Sequence, residues 1–188
     1  MPNWCNTEYI ATGPKQDLRD LHDKIKELET MEKSLVDNGF GNTWLGNLVT
    51  ILGGDWEKVY CRGEWTYAEW DDDNLRISTW TAWVEMKEVR QLIEQYYDNR
   101  IKIFFISEES GCGYYYTNDT EGKYFPYRFE IVSDEGETHS FKTEEEARKY
   151  IESLIGRTLA DDEDMDDALN ECQGEDEWIS YHEYELTD

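Results

Sequence analysis

Residues 3–28 have the sequence NWCNTEYIATGPKQDLRDLHDKIKEL, in which a strand-like pattern is followed by a helical one. Alternate positions from Cys5 to Ala11 would share one face of an extended strand, because side chains alternate across a strand. Gly13 and Pro14 are typical chain-breaking residues between two elements. Over residues 16–36, leucine and isoleucine recur at spacings of three, four and seven positions, as on the apolar face of a helix. This stretch therefore predicts a strand over residues 3–12 and a helix over residues 16–36.

The two periodic patterns recur in the residues that follow. They predict strands over residues 65–70 and 74–83 around a hairpin turn, a helix over 85–97, a strand over 101–107 and a short returning strand over 114–117. Residues 43–64 favour no single element. The order strand, helix, strand, strand, helix, strand is that of a ferredoxin-like βαββαβ domain. We expect an antiparallel sheet with both helices on one face.

The C-terminal residues predict a second, smaller unit. Residues 124–132 and 137–141 flank a glycine-containing turn, which is typical of a hairpin. Thr143 and Glu146 have the spacing of a capping box for a helix over residues 144–155, which Gly156 would end. The predicted fold class is α+β: a ferredoxin-like domain over residues 1–118 followed by a small acidic α/β C-terminal extension. The extension, residues 119–188, is expected to be a hairpin–helix unit that packs on or beside the domain.

Charge is the most unusual property of the chain. Its 188 residues include 44 acidic and 18 basic ones, for a net charge of −26. Half of this net charge lies in residues 161–188, which contain 13 acidic residues and neither lysine nor arginine. Such a field opposes binding to DNA, RNA and anionic membranes. A nucleic-acid reader and a binder of anionic membranes are therefore disfavoured, and we expect a basic protein partner.

The acidic C-terminal segment also has a structural pattern. Met165, Ala168, Leu169 and Cys172 are spaced as one apolar face of a helix. A strand-like alternation follows around residues 179–181. We interpret the segment as a docked acidic helix followed by a terminal strand, with a free tail as the alternative.

The sequence contains no motif that points to catalysis or to a cofactor. Asp162, Asp164 and Asp166 alternate as at the start of a calcium-binding loop, but Asp167 and Gln173 occupy the positions of the required Gly and Glu. The histidines are scattered, and no nucleophile or phosphate-loop motif is present. We expect no enzymatic activity, no metal and no cofactor.

The cysteines and the N-terminus bear on the compartment. No two of the four cysteines have the C-x-x-C spacing, and the first residues lack the basic and apolar regions of a signal peptide. Reduced thiols are typical of the cytosol. We therefore expect a cytoplasmic protein.

Three short segments carry a family resemblance. The opening Met1-Pro2-Asn3-Trp4-Cys5, the triplet Thr81-Ala82-Trp83 and the triplet Glu109-Ser110-Gly111 resemble the YubB-like family of plasmid and phage proteins. The resemblance covers residues 1–118 and implies a ferredoxin-like domain in a mobile element. Thr7 departs from the family pattern, as do Val84 and Glu85, which stand where prolines are usual. The family carries no established activity, so no catalytic residue is transferred.

The density of charge suggests a function. As a helix, residues 161–172 would span about 18 Å and carry one carboxylate per about 2.6 Å, against about 1.7 Å per charge along duplex DNA. We predict a non-enzymatic binding protein of a mobile element that engages a basic partner. The most specific form of this hypothesis is a DNA mimic that inhibits a host restriction or CRISPR-type defence factor.

The alternatives are an enzyme whose site is assembled from dispersed residues and a generic protein-interaction module. For the binding hypothesis, the predicted partner-binding residues are Asp161, Asp162, Glu163, Asp164, Asp166, Asp167, Glu171, Glu175, Asp176 and Glu177.

Overall fold

The computed structural model describes residues 3–133, 136–173 and 178–188. These residues form both helices and antiparallel strands, so the predicted α+β class is confirmed. The chain divides into two compact units, Met1–Asn118 (unit 1) and Asp119–Asp188 (unit 2). None of the described helices is both long enough and apolar enough to cross a membrane.

Unit 1 is built on one antiparallel sheet. Its elements are β1 (Trp4–Thr12), α1 (Lys15–Thr30), α2 (Leu45–Ile51), β2 (Gly63–Asp71), β3 (Asn74–Ala82), α3 (Lys87–Tyr96), β4 (Lys102–Glu109), a 3-10 turn (Ser110–Cys112) and β5 (Tyr114–Thr117). The strands lie in the order β2-β3-β1-β4-β5, and each is antiparallel to its neighbours. The strand that opens the chain is therefore central, paired with β3 on one side and with β4 on the other.

The core of unit 1 lies on the face of β1 that the alternation predicts. Cys5, Thr7, Tyr9 and Ala11 are all buried. The apolar stripe of α1 belongs to the same core cluster, and its members are at most 1% exposed: Leu18, Leu21, Ile25 and Leu28. Because full burial of such a side chain stabilises a protein by about 1.5–3 kcal/mol, the stripe is a main contributor to the stability of this unit.

The first helix is shorter than the sequence predicts. It ends at Thr30 rather than at residue 36, and Met31 already has the extended ψ of 137°. The side-chain amide of Asn42 donates to the Met31 carbonyl over 2.7 Å, which occupies an acceptor that a longer helix would use. Leu35 lies in the loop that follows and is 40% exposed. The prediction extended the apolar period through a segment that side-chain amides hold in a loop.

Asn47, in α2, holds that loop from inside. Its side chain is fully buried, and its Oδ1 accepts from the backbone N–H of Val36 over 2.9 Å. Its Nδ2 donates to the Ser34 hydroxyl over 2.9 Å and to the Gly41 carbonyl over 2.8 Å. The Asn47 amide therefore satisfies backbone groups of residues 34–42 that a helix would pair within itself.

The described residues of unit 2 form a three-stranded sheet and two helices. Its elements are β6 (Phe129–Ser133), β7 (Thr138–Phe141), α4 (Glu144–Ile155), α5 (Asp162–Glu171), β8 (Ile179–Glu183) and β9 (Glu185–Leu186). The sheet has the order β7-β6-β8, and both pairings are antiparallel. Ile131 from β6 and Ile151 from α4 are fully buried in its core. The predicted hairpin and the predicted helix over residues 144–155 are both confirmed, but the first strand of the hairpin begins at Phe129 and not at residue 124.

The capping box of α4 yields a first testable prediction. The Thr143 hydroxyl accepts from the Glu146 backbone N–H, and the Glu146 carboxylate accepts from the Thr143 backbone N–H. Thr143→Ala removes one acceptor, so we expect urea denaturation to give a free energy of unfolding lower by about 1 kcal/mol. Thr143→Ser keeps the hydroxyl and is the control. Equal stability of the Ala and Ser variants would contradict a role for the cap.

Candidate functional site

The predicted acidic helix exists and is docked within unit 2. Met165 and Ala168 of α5 are buried in the core of that unit, and Leu169 and Cys172 pack partly against it. The Asp161 carboxylate begins the helix by accepting from the Asp164 backbone N–H over 2.9 Å. Acidic residues in a first helical turn also interact favourably with the helix dipole. The alternative of a free tail is therefore wrong for residues 161–173.

Two of the carboxylates on α5 are neutralised by arginines from outside the acidic segment. Arg157 donates to both oxygens of Asp164, over 2.8 and 3.0 Å. Arg148, on α4, pairs with Asp162 and donates to the Asp161 carbonyl over 3.0 Å. The backbone N–H of Ala160 and the Arg157 guanidinium together lower the pKa of Asp164. The segment has no base of its own, but unit 2 supplies two.

The remaining carboxylates form an outward array, which we call the acidic face: Glu163, Asp166, Asp167 and Glu171. All four are exposed. Three of them recur every four residues, so they lie in a row about 6 Å apart along the helix. Within the described part of the chain, none of the four forms a hydrogen bond or an ion pair through its side chain. The face carries four charges over about 12 Å, or one charge per about 3 Å. This spacing is closer to the value of about 3.4 Å per charge along one DNA strand than to the value of about 1.7 Å per charge along the duplex.

The structure thus divides the ten predicted partner-binding residues into three groups. Four form the acidic face, and Asp161, Asp162 and Asp164 serve as the helix cap and as partners of arginine. The other three, Glu175, Asp176 and Glu177, lie outside the described residues.

The three segments that carry the family resemblance meet at one end of the sheet in unit 1. The Trp83 backbone N–H donates to the Asn3 carbonyl over 3.1 Å, and the Asn3 amide donates to the Cys112 sulfur over 3.4 Å. The Glu109 carboxylate accepts from the backbone N–H groups of Gly111 and Cys112. A Cβ at Gly111 would lie 2.8 Å from the Asn3 amide nitrogen, so the Asn3 side chain packs closely against this glycine. These contacts fix a corner of the fold.

Unit 1 contains a buried ion pair with a tyrosine beside it. Glu85 and Arg90 form an ion pair of 3.0 Å, and their side chains are 3% and 6% exposed. The Tyr9 hydroxyl donates to the same Glu85 oxygen over 3.2 Å, and the Arg90 guanidinium lies 5.0 Å from the centre of the Phe105 ring. Burial raises the pKa of Glu85. The pair is enclosed by the core, which makes it a structural element.

Three of the described thiols, Cys5, Cys61 and Cys112, have a pKa above the ordinary value of a thiol. Burial raises the pKa of Cys5, and it raises the pKa of Cys61 to about 11. Cys112 is exposed, but the neighbouring Glu109 carboxylate raises its pKa. A reactive cysteine requires the opposite shift. Among the residues that the structure describes, no group of three His, Cys, Asp or Glu side chains is arranged to hold a metal ion.

A groove rich in aromatic side chains is the feature that sequence reasoning missed. It has a volume of about 660 Å³ and lies within unit 1, where residues 40–44 and 56–64 face Trp4. Five rings line it: Trp4, Phe40, Trp44, Trp56 and Tyr60. Four of them lie within 21 residues of the sequence, in a region without a clear periodic pattern. This local density of aromatic residues is the signal in the sequence that could have indicated the groove. We call this feature the aromatic groove.

Exposed tryptophans also occur on the strands. Trp4, Trp80 and Trp83 are 50%, 52% and 42% exposed, so none of them is a core residue. Trp83 has a φ of 74°, in the left-handed region that bulky side chains rarely adopt. Such rings at the surface are typical of contact sites.

Comparison with known proteins adds no functional assignment. No family model matches the chain, and no curated protein or solved structure is detectably similar to it. The function is therefore inferred from the surfaces described above.

Proposed function

We propose that the protein is a non-enzymatic binding protein that engages a basic protein surface through the acidic face of α5. The observation that carries the proposal is the separation of roles on this helix. Two carboxylates hold the helix in unit 2 through Arg148 and Arg157, while four others point outward and form no ion pair with any residue that the structure describes. A fixed array of like charge steers and orients a partner of opposite charge.

DNA mimicry is the most specific form of this proposal. The outward spacing supports resemblance to a single phosphate row, which a basic nucleic-acid-binding protein would contact. A host restriction or CRISPR-type defence factor fits this description. We also propose that the protein is cytoplasmic and that it originates from a mobile element.

The proposal extends to the architecture of unit 1. The strand order β2-β3-β1-β4, with α1 between β1 and β2 and α3 between β3 and β4, supports a ferredoxin-like arrangement. The contacts among the segments around Asn3, Trp83 and Glu109 support membership of the YubB-like family, because they give those distant segments one structural role.

A quadruple charge neutralisation tests the acidic face. In it, Glu163 and Glu171 become Gln, and Asp166 and Asp167 become Asn. The control makes the same change in charge at exposed sites of unit 1: Glu27→Gln, Glu32→Gln, Asp37→Asn and Asp98→Asn. The probe is a lysine-rich peptide without arginine, with binding followed by fluorescence anisotropy. We expect the acidic-face variant to bind about tenfold more weakly at low salt, and the control to stay within about twofold of the wild type.

The outcome depends on where the charge acts. If both variants weaken equally, the net charge acts as a diffuse field, and the proposal of a defined face fails. The salt dependence gives a second readout: between about 50 and about 200 mM salt, the acidic-face variant should lose less affinity than the wild type, since it makes fewer ionic contacts.

A competition assay tests mimicry. The protein is titrated into a complex of a purified DNA-binding protein with a labelled oligonucleotide, single-stranded in one series and duplex in the other. We expect release of the single strand at a lower concentration than release of the duplex, and the acidic-face variant should release neither. Equal release by wild type and variant would contradict mimicry.

A further inference from the structure

We propose that the aromatic groove of unit 1 binds the side chain of an arginine presented by a peptide segment of a partner protein. The groove is a different site from the acidic face, and this inference does not rest on the function proposed for that face. Its volume of about 660 Å³ is in the range of ligand-binding clefts, and it exceeds the size of one guanidinium group. It therefore accommodates an arginine together with its neighbouring peptide backbone.

The floor of the groove is a fixed tryptophan. Trp44 is 8% exposed, and its ring lies 5.4 Å from that of Phe40 and 5.3 Å from that of Trp56. A Cβ on Gly46 would lie 2.2 Å from the Trp44 ring, so the ring packs directly onto the α2 backbone. Trp44 also forms an antiparallel bridge with Glu64. The ring that a ligand would meet at the bottom is thus already positioned.

The rim of the groove consists of exposed rings. Phe40, Trp4 and Tyr60 are 67%, 50% and 44% exposed, so the rim presents several large apolar surfaces to solvent. The face of an aromatic ring is electron-rich and attracts a cation, most strongly for tryptophan. A site lined by five rings therefore favours a cationic ligand with a flat or apolar surface.

The charges around the groove favour the same ligand. Glu57, Glu64 and Glu88 line it. Glu88 accepts from the Tyr60 backbone N–H over 2.7 Å and Glu64 accepts from the Thr43 hydroxyl over 3.0 Å, so single contacts orient these two carboxylates. The lining cations are Lys58, which is paired with Asp55 over 2.7 Å, and Arg62. Carboxylates outnumber cations, so an incoming cation is complementary to the site.

Arginine fits these features better than lysine or a nucleotide. Its planar guanidinium group stacks on rings and forms two parallel hydrogen bonds with a carboxylate, whereas the ammonium group of lysine is compact and strongly hydrated. A nucleobase would also stack on the rings. Its phosphate, however, would meet three carboxylates with Arg62 as the main counter-charge.

The test titrates the full chain with short glycine–serine peptides that differ in one central residue: arginine, lysine or the neutral isostere citrulline. Adenosine monophosphate is a fourth ligand. Binding is followed by NMR through the indole N–H signals of the tryptophans. We expect saturable shifts of the groove tryptophans with the arginine peptide, and binding of the citrulline peptide weaker by about tenfold or more. Tighter binding of adenosine monophosphate or equal binding of citrulline would overturn the proposal.

Matched variants locate the site. Trp4→Ala removes an exposed ring of the groove, and Glu57→Gln removes an exposed carboxylate of its lining. Trp80→Ala is the control, because Trp80 is equally exposed but does not line the groove. We expect the first two variants to weaken binding of the arginine peptide about fivefold or more and the control to leave it unchanged. The same loss in the Trp80 variant would overturn the assignment.

The acidic-face variant separates this inference from the function proposed for α5. It should bind the arginine peptide as the wild type does, since the groove lies in unit 1. A loss of peptide binding in that variant would assign the binding to charge on α5 and would overturn the groove proposal.

Discussion

Replacement of Arg90 by methionine is expected to lower the free energy of unfolding by about 3–5 kcal/mol. The substitution leaves the Glu85 carboxylate enclosed in the core without its cation, with the Tyr9 hydroxyl as a remaining donor. It also removes the guanidinium group from the Phe105 ring. Chemical denaturation followed by circular dichroism measures the loss.

The double variant Glu85→Gln/Arg90→Met is the control for this prediction. It removes both charges while a side-chain oxygen remains for Tyr9, so we expect it to be destabilised by less than about 2 kcal/mol relative to the wild type. A double variant as unstable as Arg90→Met would show that packing, rather than an uncompensated charge, causes the loss.

The effect of Arg90→Met should depend on pH. Burial raises the pKa of Glu85 in the folded protein. This group therefore contributes to stability at a pH below its ordinary pKa of about 4.3. The contribution is lost as the pH rises through the raised pKa of the folded protein. Arg90 opposes the increase in pKa, and without it the pKa rises further. The difference in stability between wild type and variant should therefore be largest at neutral pH and should shrink on acidification. A difference that is constant with pH would contradict this account.

Replacement of Asn47 by alanine is expected to lower the free energy of unfolding by about 2–4 kcal/mol, because it removes several hydrogen bonds of one buried amide at once. The Val36 N–H loses the acceptor that Asn47 supplies, and the Gly41 carbonyl keeps only the Ser34 hydroxyl as a side-chain donor among the described contacts. Phe40 lies in this loop and lines the aromatic groove. We therefore also expect weaker binding of the arginine peptide.

Ser34→Ala is the matched control for Asn47. It removes the hydrogen bonds of the Ser34 hydroxyl with Asn47 and with the Gly41 carbonyl but leaves the amide in place, so we expect a smaller loss of about 1 kcal/mol. Thermal unfolding by calorimetry compares the two variants. If Asn47→Ala were no less stable than Ser34→Ala, the amide would not be what holds residues 34–42.

Local signals made much of the fold predictable from the sequence. Thr143 and Glu146 define the start of α4 by contacts within four residues, and Gly156 ends it with a φ of 73° that glycine adopts readily. The alternation from Cys5 to Ala11 marks a buried face because one side of β1 meets the core. Where neighbours in sequence determine the structure, the pattern is sufficient.

The features that the sequence did not reveal depend on residues distant from one another. The end of α1 depends on Asn42 and Asn47, which follow it by more than ten residues. In the aromatic groove, Trp4 lies close to residues 40–64, and no periodic pattern in the sequence predicts this contact. The acidic helix was predicted, but its pairing with Arg148 was not, because the bases lie outside the segment whose charge was counted.

The anchoring of α5 has a consequence for the thermodynamics of recognition. At its C-terminal end, Gln173 donates from its side-chain amide to the carbonyls of Leu169 and Ile179, which ties the helix to β8. A disordered acidic tail would lose conformational entropy when a partner orders it, and its affinity would be reduced by that loss. In α5 the conformational entropy of the backbone is already lost on folding, so association with a partner needs no ordering step. The association rate can then be set by the electrostatically steered encounter of the two proteins.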